Sequence, residues 1–202
     1  MTGRCTHALA AMLLLAGACS ETKEAEKPSP AVKAEETKDE QGGKKMAELN
    51  LKSPSFEHNG EIPQKFTCEG KDISPALQWP GVPEDAKSLA LIVDDPDAPD
   101  PRAPKMVWVH WVLFNIPTSA TGLAEAIEAL PQGTGEGLND WKRTGYGGPC
   151  PPIGRHRYFF KLYALDTVLE GLSQPTKADL EQAIEGHVLA QTELIGTYEK
   201  QK

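Results

Sequence analysis

The chain has 202 residues, of which 29 are acidic and 21 are Lys or Arg, so its formal net charge is −8. It contains no run of basic residues and no stripe of alternating basic and aromatic residues, which argues against nucleic-acid binding. Its length is enough for a short leader, a linker and one folded domain.

The first segment, residues 1–18, has the features of a lipoprotein signal peptide. Arg4 provides a positive start, and residues 8–16 form an apolar run that is too short to span a bilayer. Small residues then lead to Cys19, as in bacterial lipoproteins, where this cysteine receives the lipid. The alternative is a cleaved secretory signal in which Cys19 is incidental. Both interpretations predict export.

Residues 19–48 are predicted to be a disordered tether. They are rich in Lys, Glu, Ala and Pro and contain no aromatic residue, so they cannot bury enough apolar surface to offset the entropy of ordering. Ser20, rather than Asp, after the lipidated cysteine favours the outer membrane. We therefore expect a lipid-anchored protein of the bacterial envelope that faces the periplasm. Met46 is an alternative start, which would give a soluble form.

Residues 49–202 are predicted to form one mainly β domain. Apolar runs that fit buried strands lie at residues 88–93, 107–116, 158–165 and 188–198, and shorter candidates lie at 66–67 and 77–79. Frequent Pro and Gly between these runs are typical of short β elements.

Helices are predicted to be few, short and peripheral. Thr176 is a candidate N-cap, Asp179 follows at the capping-box position, and Gly186 ends the helix. Residues 121–130 are predicted to form a second, shorter helix. The expected domain is thus a β-rich core with a few peripheral helices.

The polar side chains of three segments are expected to meet at the ends of strands. Residues 95–99 read Asp-Pro-Asp-Ala-Pro, a rigid turn after a buried strand. On the next strand, residues two apart share a face, so Trp108 and His110 should point one way and Val109 and Trp111 the other.

The third segment ends in another strand. His156 and Tyr158 should share a face there, and Arg157 should point away from them.

Six different short motifs follow one another along the domain. They are Phe-Thr-Cys-Glu-Gly at 66–70, Ile-Ser-Pro at 73–75, Asp-Pro-Asp-Ala-Pro at 95–99, Trp-Val-His-Trp at 108–111, Gly-Tyr-Gly-Gly-Pro-Cys-Pro-Pro at 145–152 and Gly-Arg-His-Arg-Tyr at 154–158. Together they resemble the phosphatidylethanolamine-binding protein (PEBP) family, specifically its bacterial Raf-kinase-inhibitor-like (YbhB/YbcL) branch. The resemblance implies a PEBP-like β-sandwich core with a small cavity for phosphate, acetate or a phospholipid head group. The ligand-binding residues that it implies are Asp95, Asp97, Trp108, His110, Gly148, His156 and Tyr158.

The chemistry expected of such a cavity is local, since the acidic domain does not attract anions over a distance. Protonated His110 and His156, the Tyr158 hydroxyl, and backbone N–H groups near Gly148 should donate to the anion. The two aspartates at 95 and 97 should orient the imidazoles and favour their charged form. Binding is therefore expected to weaken as the pH rises through the histidine range.

Cys68 and Cys150 form an even pair in an exported domain. The sequence leaves two alternatives open, a disulfide between them or two free thiols near the cavity.

The function expected from these observations is non-catalytic binding of a small anion or phospholipid head group, without a cofactor. The first alternative is an inhibitor or regulator of a protein partner in the envelope, such as a protease or a kinase-like protein. A lesser alternative is a metal-dependent hydrolase with Asp95, Asp97, His110 and His156 as ligands, although no His-x-x-His spacing is present. The sequence has neither a nucleophile elbow nor a P-loop.

Overall fold

The computed structural model describes residues 48–201. The signal peptide at 1–18, Lys202 and all of the tether except its last residue lie outside the described residues. The predictions for Cys19 and Met46 are therefore not addressed by the structure. No helix within residues 48–201 is both long enough and apolar enough to cross a membrane.

Most of the described chain is built around one sheet of six strands. In spatial order the strands are β1 (Gly60–Glu61), β8 (Val188–Glu199), β7 (Arg155–Leu165), β3 (Ser88–Asp95), β4 (Trp108–Ile116) and β6 (Gly135–Glu136). The long strands pair antiparallel, and only the short β1 lies parallel to its neighbour. A second, two-stranded sheet pairs β2 (Leu77–Gln78) with β5 (Gly122–Leu123).

The alternation of side chains along the strands builds two separate cores. One face of the large sheet, called here the cavity face, carries Leu91 and Phe160 and packs against the small sheet through Leu77. The other face, called here the helix face, carries Ile92 and packs against Leu180 of the only α-helix in the described chain, α1 (Lys177–Ile184). Strand β3 is buried along its whole length because both of its faces are covered, as its continuous apolar run predicts.

A β-bulge in β4 changes the predicted alternation. Val93 of β3 lies opposite Trp111, and Asp94 lies opposite Val109, so His110 is one extra residue in β4. The prediction that Val109 and Trp111 share a face is therefore wrong: Val109 packs in the core of the helix face, whereas Trp111 packs in the core of the cavity face.

The predicted helix at residues 176–186 is confirmed, and its start is the predicted capping box. The Thr176 hydroxyl accepts a hydrogen bond from the Asp179 backbone N–H, and the Asp179 carboxylate accepts one from the Thr176 backbone N–H. The helix ends at Ile184, and Gly186 follows with a positive φ of 79°.

The predictions for two short elements are wrong. Residues 66–67 were expected in a strand, but Gln64–Phe66 is a 3₁₀ helix whose last turn is closed by the Thr67 hydroxyl donating to the Gln64 carbonyl. Residues 121–130 were expected in a helix, but Gly122–Leu123 pairs with β2, and Ala126 has a positive φ of 51° that interrupts any helix.

Candidate functional site

The candidate site is a cavity of about 440 Å³ at the end of the large sheet. Its lining combines polar residues from β3, β4 and β7 with apolar and proline residues from the connecting loops: Asp95, Ala98, Pro99, Met106, Trp108, His110, Trp141, Cys150, Pro151, Pro152 and His156. Of the seven predicted binding residues, the structure brings four to the cavity wall, namely Asp95, Trp108, His110 and His156.

Asp95 holds His156, as predicted for a carboxylate that orients an imidazole. The Nδ1 atom of His156 lies 2.7 Å from a carboxylate oxygen of Asp95, and the Nε2 atom lies 3.1 Å from the carbonyl oxygen of Ile153. Both contacts are made to oxygen atoms that act as acceptors. Burial raises the pKa of Asp95, and the hydrogen bond from His156 acts in the opposite direction. Because both ring nitrogens are engaged within the protein, His156 forms part of the cavity wall rather than a free donor.

Asp97 has a different role from the one predicted. Its two carboxylate oxygens accept from the guanidinium of Arg157 at 2.9 and 2.7 Å, and one of them also accepts from the Arg157 backbone N–H. These hydrogen bonds hold the pKa of Asp97 below its usual range. The expectation that Asp97 orients an imidazole is therefore wrong. Arg157 points away from His156, as predicted, and ties the turn after β3 to strand β7.

His110 is held by a two-way contact with the glycine loop. Its Nδ1 atom lies 2.6 Å from the carbonyl oxygen of Gly147, and the Gly147 N–H donates to the backbone carbonyl of His110 at 3.1 Å. The rings of Trp141 and Tyr158 pack edge-on against the imidazole, with centroids 5.2 Å away in both cases. Burial lowers the pKa of His110 to about 4. The buried ring is therefore neutral at neutral pH, which disagrees with the expectation that a protonated His110 donates to the anion.

Gly148 lies in the predicted loop, but its N–H is not available to an anion. It donates to a carboxylate oxygen of Asp72 at 2.6 Å, and Gly148 is not part of the cavity wall. A Cβ at this position would lie 2.3 Å from the carbonyl oxygen of Phe66, so the glycine permits close packing of two loops. The predicted anion-binding N–H groups are thus used internally, by Asp72 and by the backbone of His110.

Three buried polar atoms around the site have no hydrogen-bond partner among the described residues. They are Nε1 of Trp108, Nε2 of His110 and the hydroxyl oxygen of Tyr158. Trp108 and His110 line the cavity, and the ring of Tyr158, which is not itself part of the wall, packs against the rings of His110 and His156. A buried polar group without a partner costs about 1–3 kcal/mol, so these atoms favour a ligand that can pair with them.

The open question of the two cysteines is answered by a disulfide between Cys68 and Cys150, whose Cα atoms are 5.4 Å apart. Cys150 is part of the cavity wall. The bridge therefore fixes this wall to the loop that follows the 3₁₀ helix.

Sequence reasoning missed Trp141 and Met106, both of which line the cavity. Trp141 lies in a loop without alternation, and its only signal was a large aromatic residue in a glycine-rich segment. Met106 precedes a predicted strand and is 52% exposed, a combination that marks a rim position only once the fold is known.

The described residues contain no group of three or more His, Cys, Asp or Glu side chains arranged to hold a metal ion. Asp97 and His110, two of the four ligands of the hydrolase alternative, are instead hydrogen-bonded to Arg157 and Gly147. The structure therefore contradicts the proposed set of four metal ligands.

The fold and the site define a mainly β protein with a small, partly apolar cavity at the end of its principal sheet. The sequence model of the phosphatidylethanolamine-binding protein family matches residues 52–199. The chain therefore belongs to the PEBP family, as its motifs indicate.

Similar sequences and similar solved structures support this assignment to the PEBP family. A UPF0098 protein from Methanothermobacter thermautotrophicus is 54% identical over 155 residues, which cover 75% of this chain and 99% of the relative. A PEBP homologue from Chlamydia trachomatis has a similar structure, with a TM-score of 0.71, 42% identity, and coverage of 76% of this chain and 99% of the homologue. YbcL of Escherichia coli matches with a TM-score of 0.70, 33% identity, and coverage of 77% of this chain and 100% of YbcL.

Proposed function

We propose that the domain binds a small anion or a phosphate-bearing head group in its cavity without catalysing a reaction. The observation that carries the proposal is the group of three buried, unpartnered polar atoms on Trp108, His110 and Tyr158. Two of them, the indole N–H and the phenol O–H, can donate to oxygen atoms of a ligand. Burial raises the pKa of Tyr158, so its hydroxyl keeps its proton throughout the physiological range.

The shape and composition of the cavity support a ligand of this class. A volume of about 440 Å³ lies within the usual range for small-molecule sites. Pro99, Pro151 and Pro152 contribute a rigid wall that has no backbone N–H of its own. The few polar atoms therefore determine the orientation of the ligand, while the apolar wall excludes water around it.

Calorimetric titration of phosphoethanolamine and of acetate into the 202-residue chain tests the proposal. Tyr158→Phe removes one donor with little change of shape, and Trp108→Phe removes another together with part of the indole ring. We expect each to weaken binding at least about tenfold, since one hydrogen bond to a charged group is lost. Tyr163→Phe is the matched control, because Tyr163 packs on the helix face. Absence of binding in the unmodified chain, or equal affinity in all variants, would contradict the proposal.

We propose further that the domain is held at a membrane outside the cytoplasm through lipid on Cys19. The support is the signal-like order of residues 1–18 together with the disulfide between Cys68 and Cys150, because disulfides persist mainly in oxidising compartments. Lipid attachment is tested by mass spectrometry of the N-terminal peptide. A Cys19→Ser variant should move from the membrane fraction to the soluble fraction, and an unchanged distribution would contradict the anchor.

A second candidate function is regulation of a protein partner in the envelope. The favouring observation is an apolar rim near the cavity: Met106, Trp141 and Ile153 have exposed fractions of 52%, 41% and 48%. Exposed aromatic and apolar side chains of this kind are common at interfaces. Pull-down from envelope extract with the unmodified chain and with Met106→Ser/Ile153→Ser tests this function, since a specific partner should be lost with the double variant. A partner retained by both would not bind at the rim.

A further inference from the structure

The ring of His110 is held in one tautomer. Its Nδ1 atom contacts the carbonyl oxygen of Gly147 at 2.6 Å, and a carbonyl can only accept, so Nδ1 carries the proton. Gly147 itself is fixed, because its N–H donates back to the His110 carbonyl. In a neutral ring, the other nitrogen, Nε2, then carries a lone pair and no hydrogen.

The Nε2 atom of His110 is therefore an acceptor beside the cavity. It is buried, His110 is only 3% exposed, and Nε2 has no partner among the described residues. The ring is neutral above about pH 5, because burial lowers the pKa of His110 to about 4. An anion without a proton would bring its oxygen lone pairs against this nitrogen lone pair, which is repulsive.

The charged and titratable groups around the His110 ring leave it neutral, with no proton on Nε2. Burial lowers the pKa of His110, and His156 acts in the same direction. The hydrogen bond to the Gly147 carbonyl and the charges of Asp94 and Asp140 favour protonation, but burial outweighs them. On the cavity side the neighbouring groups are the Asp95–His156 pair and the neutral phenol of Tyr158.

We propose that the cavity selects a phosphate monoester in its singly protonated form, whose P–O–H group donates to Nε2 of His110. This inference rests on the proposed function and specifies its ligand class. Trp108 donates its indole N–H, and Tyr158 its hydroxyl hydrogen, to the remaining phosphoryl oxygens. The same arrangement disfavours phosphodiesters and sulfate esters, which have similar shapes but no acidic proton at neutral pH.

The test compares methyl phosphate, methyl sulfate and dimethyl phosphate by calorimetry with the 202-residue chain. At pH 5.5 we expect methyl phosphate to bind at least about tenfold more tightly than the other two, because only its monoanion can donate to a buried acceptor. Between pH 5.5 and pH 7.5 its affinity should fall about twentyfold, as the monoester loses its second proton with a pKa near 6. Methyl sulfate serves as the reference for any pH effect of the protein itself.

The outcomes separate the two proposals. Equal affinity for methyl phosphate and methyl sulfate at pH 5.5, or parallel pH profiles, would overturn the protonated-ligand inference and leave the proposed function intact. Failure of all three compounds and of phosphoethanolamine to bind would overturn both. Tighter binding of methyl sulfate than of methyl phosphate would reverse the inferred selectivity and overturn the inference alone.

Two further measurements address His110 directly. In His110→Gln a side-chain amide can donate where Nε2 accepts, so the preference for methyl phosphate over methyl sulfate at pH 5.5 should fall to about twofold or less. In ¹⁵N-histidine NMR spectra of the unmodified chain, one nitrogen of His110 should give the signal of an unprotonated nitrogen, which shifts when methyl phosphate is added. A free ring protonated on Nε2 would overturn the inference even if the variant failed to fold.

Discussion

Asp94 and Asp95 are consecutive residues at the end of β3, yet their side chains lie on opposite faces of the sheet and in opposite chemical surroundings. On the helix face, Asp94 accepts from the ammonium groups of Lys161 and Lys177 at 2.8 and 2.6 Å. On the cavity face, Asp95 accepts from the imidazole of His156. One buried carboxylate is thus neutralised by two permanent cations, and the other by a group whose charge depends on its protonation.

This difference separates stability from ligand binding. The cluster of Asp94 with two lysines has no contact with the cavity and ties helix α1 to the sheet. The contact between Asp95 and His156 is part of the cavity wall. Substitutions on the helix face should therefore change mainly the free energy of unfolding, and substitutions on the cavity face should change mainly the affinity for the ligand.

The largest expected effect is from Asp94→Asn. Asp94 is fully buried, and its loss leaves Lys161 and Lys177 partly buried without their carboxylate, which should lower the free energy of unfolding by about 3 kcal/mol. Urea unfolding measures the loss, and affinity for phosphoethanolamine should stay within about twofold. The matched control is Asp166→Asn, which breaks the exposed pair with His187 and should cost less than about 1 kcal/mol. Equal losses in the two variants would contradict the assignment.

The second effect is a loss of stability in acid that depends on His110. Its pKa is about 6.5 in the unfolded chain and about 4 in the folded one, so the unfolded chain binds the proton more tightly. Stability is therefore complete above about pH 7 and decreases as the pH falls through this interval, by up to roughly 3 kcal/mol at pH 4.

Unfolding at several pH values checks this effect. The free energy of unfolding of His110→Gln is measured at the same pH values and subtracted from that of the unmodified chain, which removes the contribution of the acidic side chains. A difference that does not change with pH would show that His110 is not buried in its neutral form.

A smaller effect on stability, with a larger one on binding, is expected for Asp95→Asn. Because burial already raises the pKa of Asp95, a neutral amide relieves part of the cost of a buried charge, and the loss of stability should be about 1–2 kcal/mol. The amide orients His156 less strongly, so affinity for phosphoethanolamine should fall about tenfold. Calorimetry and urea unfolding of the same preparation measure both. Unchanged affinity would assign Asp95 a structural role only.

The smallest effect is expected at the start of the helix. Asp179→Ala removes the acceptor for the Thr176 N–H and should lower the free energy of unfolding by less than any of the substitutions above. Binding should not change, because the capping box lies on the helix face. A loss of affinity here would show that the two faces are coupled, and it would weaken the separation drawn from Asp94 and Asp95.

The long elements could be predicted from the sequence because their signals are local. The apolar run at 88–93, the alternation around His156 and the capping box each depend on a few neighbouring residues, and all three are present in the structure. The family motifs extended this prediction to the cavity, which four of the seven expected residues line.

The remaining features depend on partners distant in the chain. Asp97 lies two residues after Asp95 in the same turn, and only the neighbouring strand reveals that its partner is Arg157. The use of the Gly148 N–H by Asp72 joins residues 76 positions apart. The neutral state of His110 follows from burial by loops that carry no periodic signal. These properties arise from packing, which a local pattern does not encode.

The extra residue in β4 determines the chemical character of the cavity. Counted back from Trp111 with strict alternation, Val109 would face the cavity, and Trp108 and His110 would face the helix. One inserted residue shifts the phase of the strand by half a period at this point. The same strand therefore presents apolar side chains to the helix-face core and hydrogen-bonding side chains to the cavity. If β4 paired without this bulge and kept all of its residues, the two surfaces would be exchanged and the site would be lost, although every residue type needed to build it would still be in the chain.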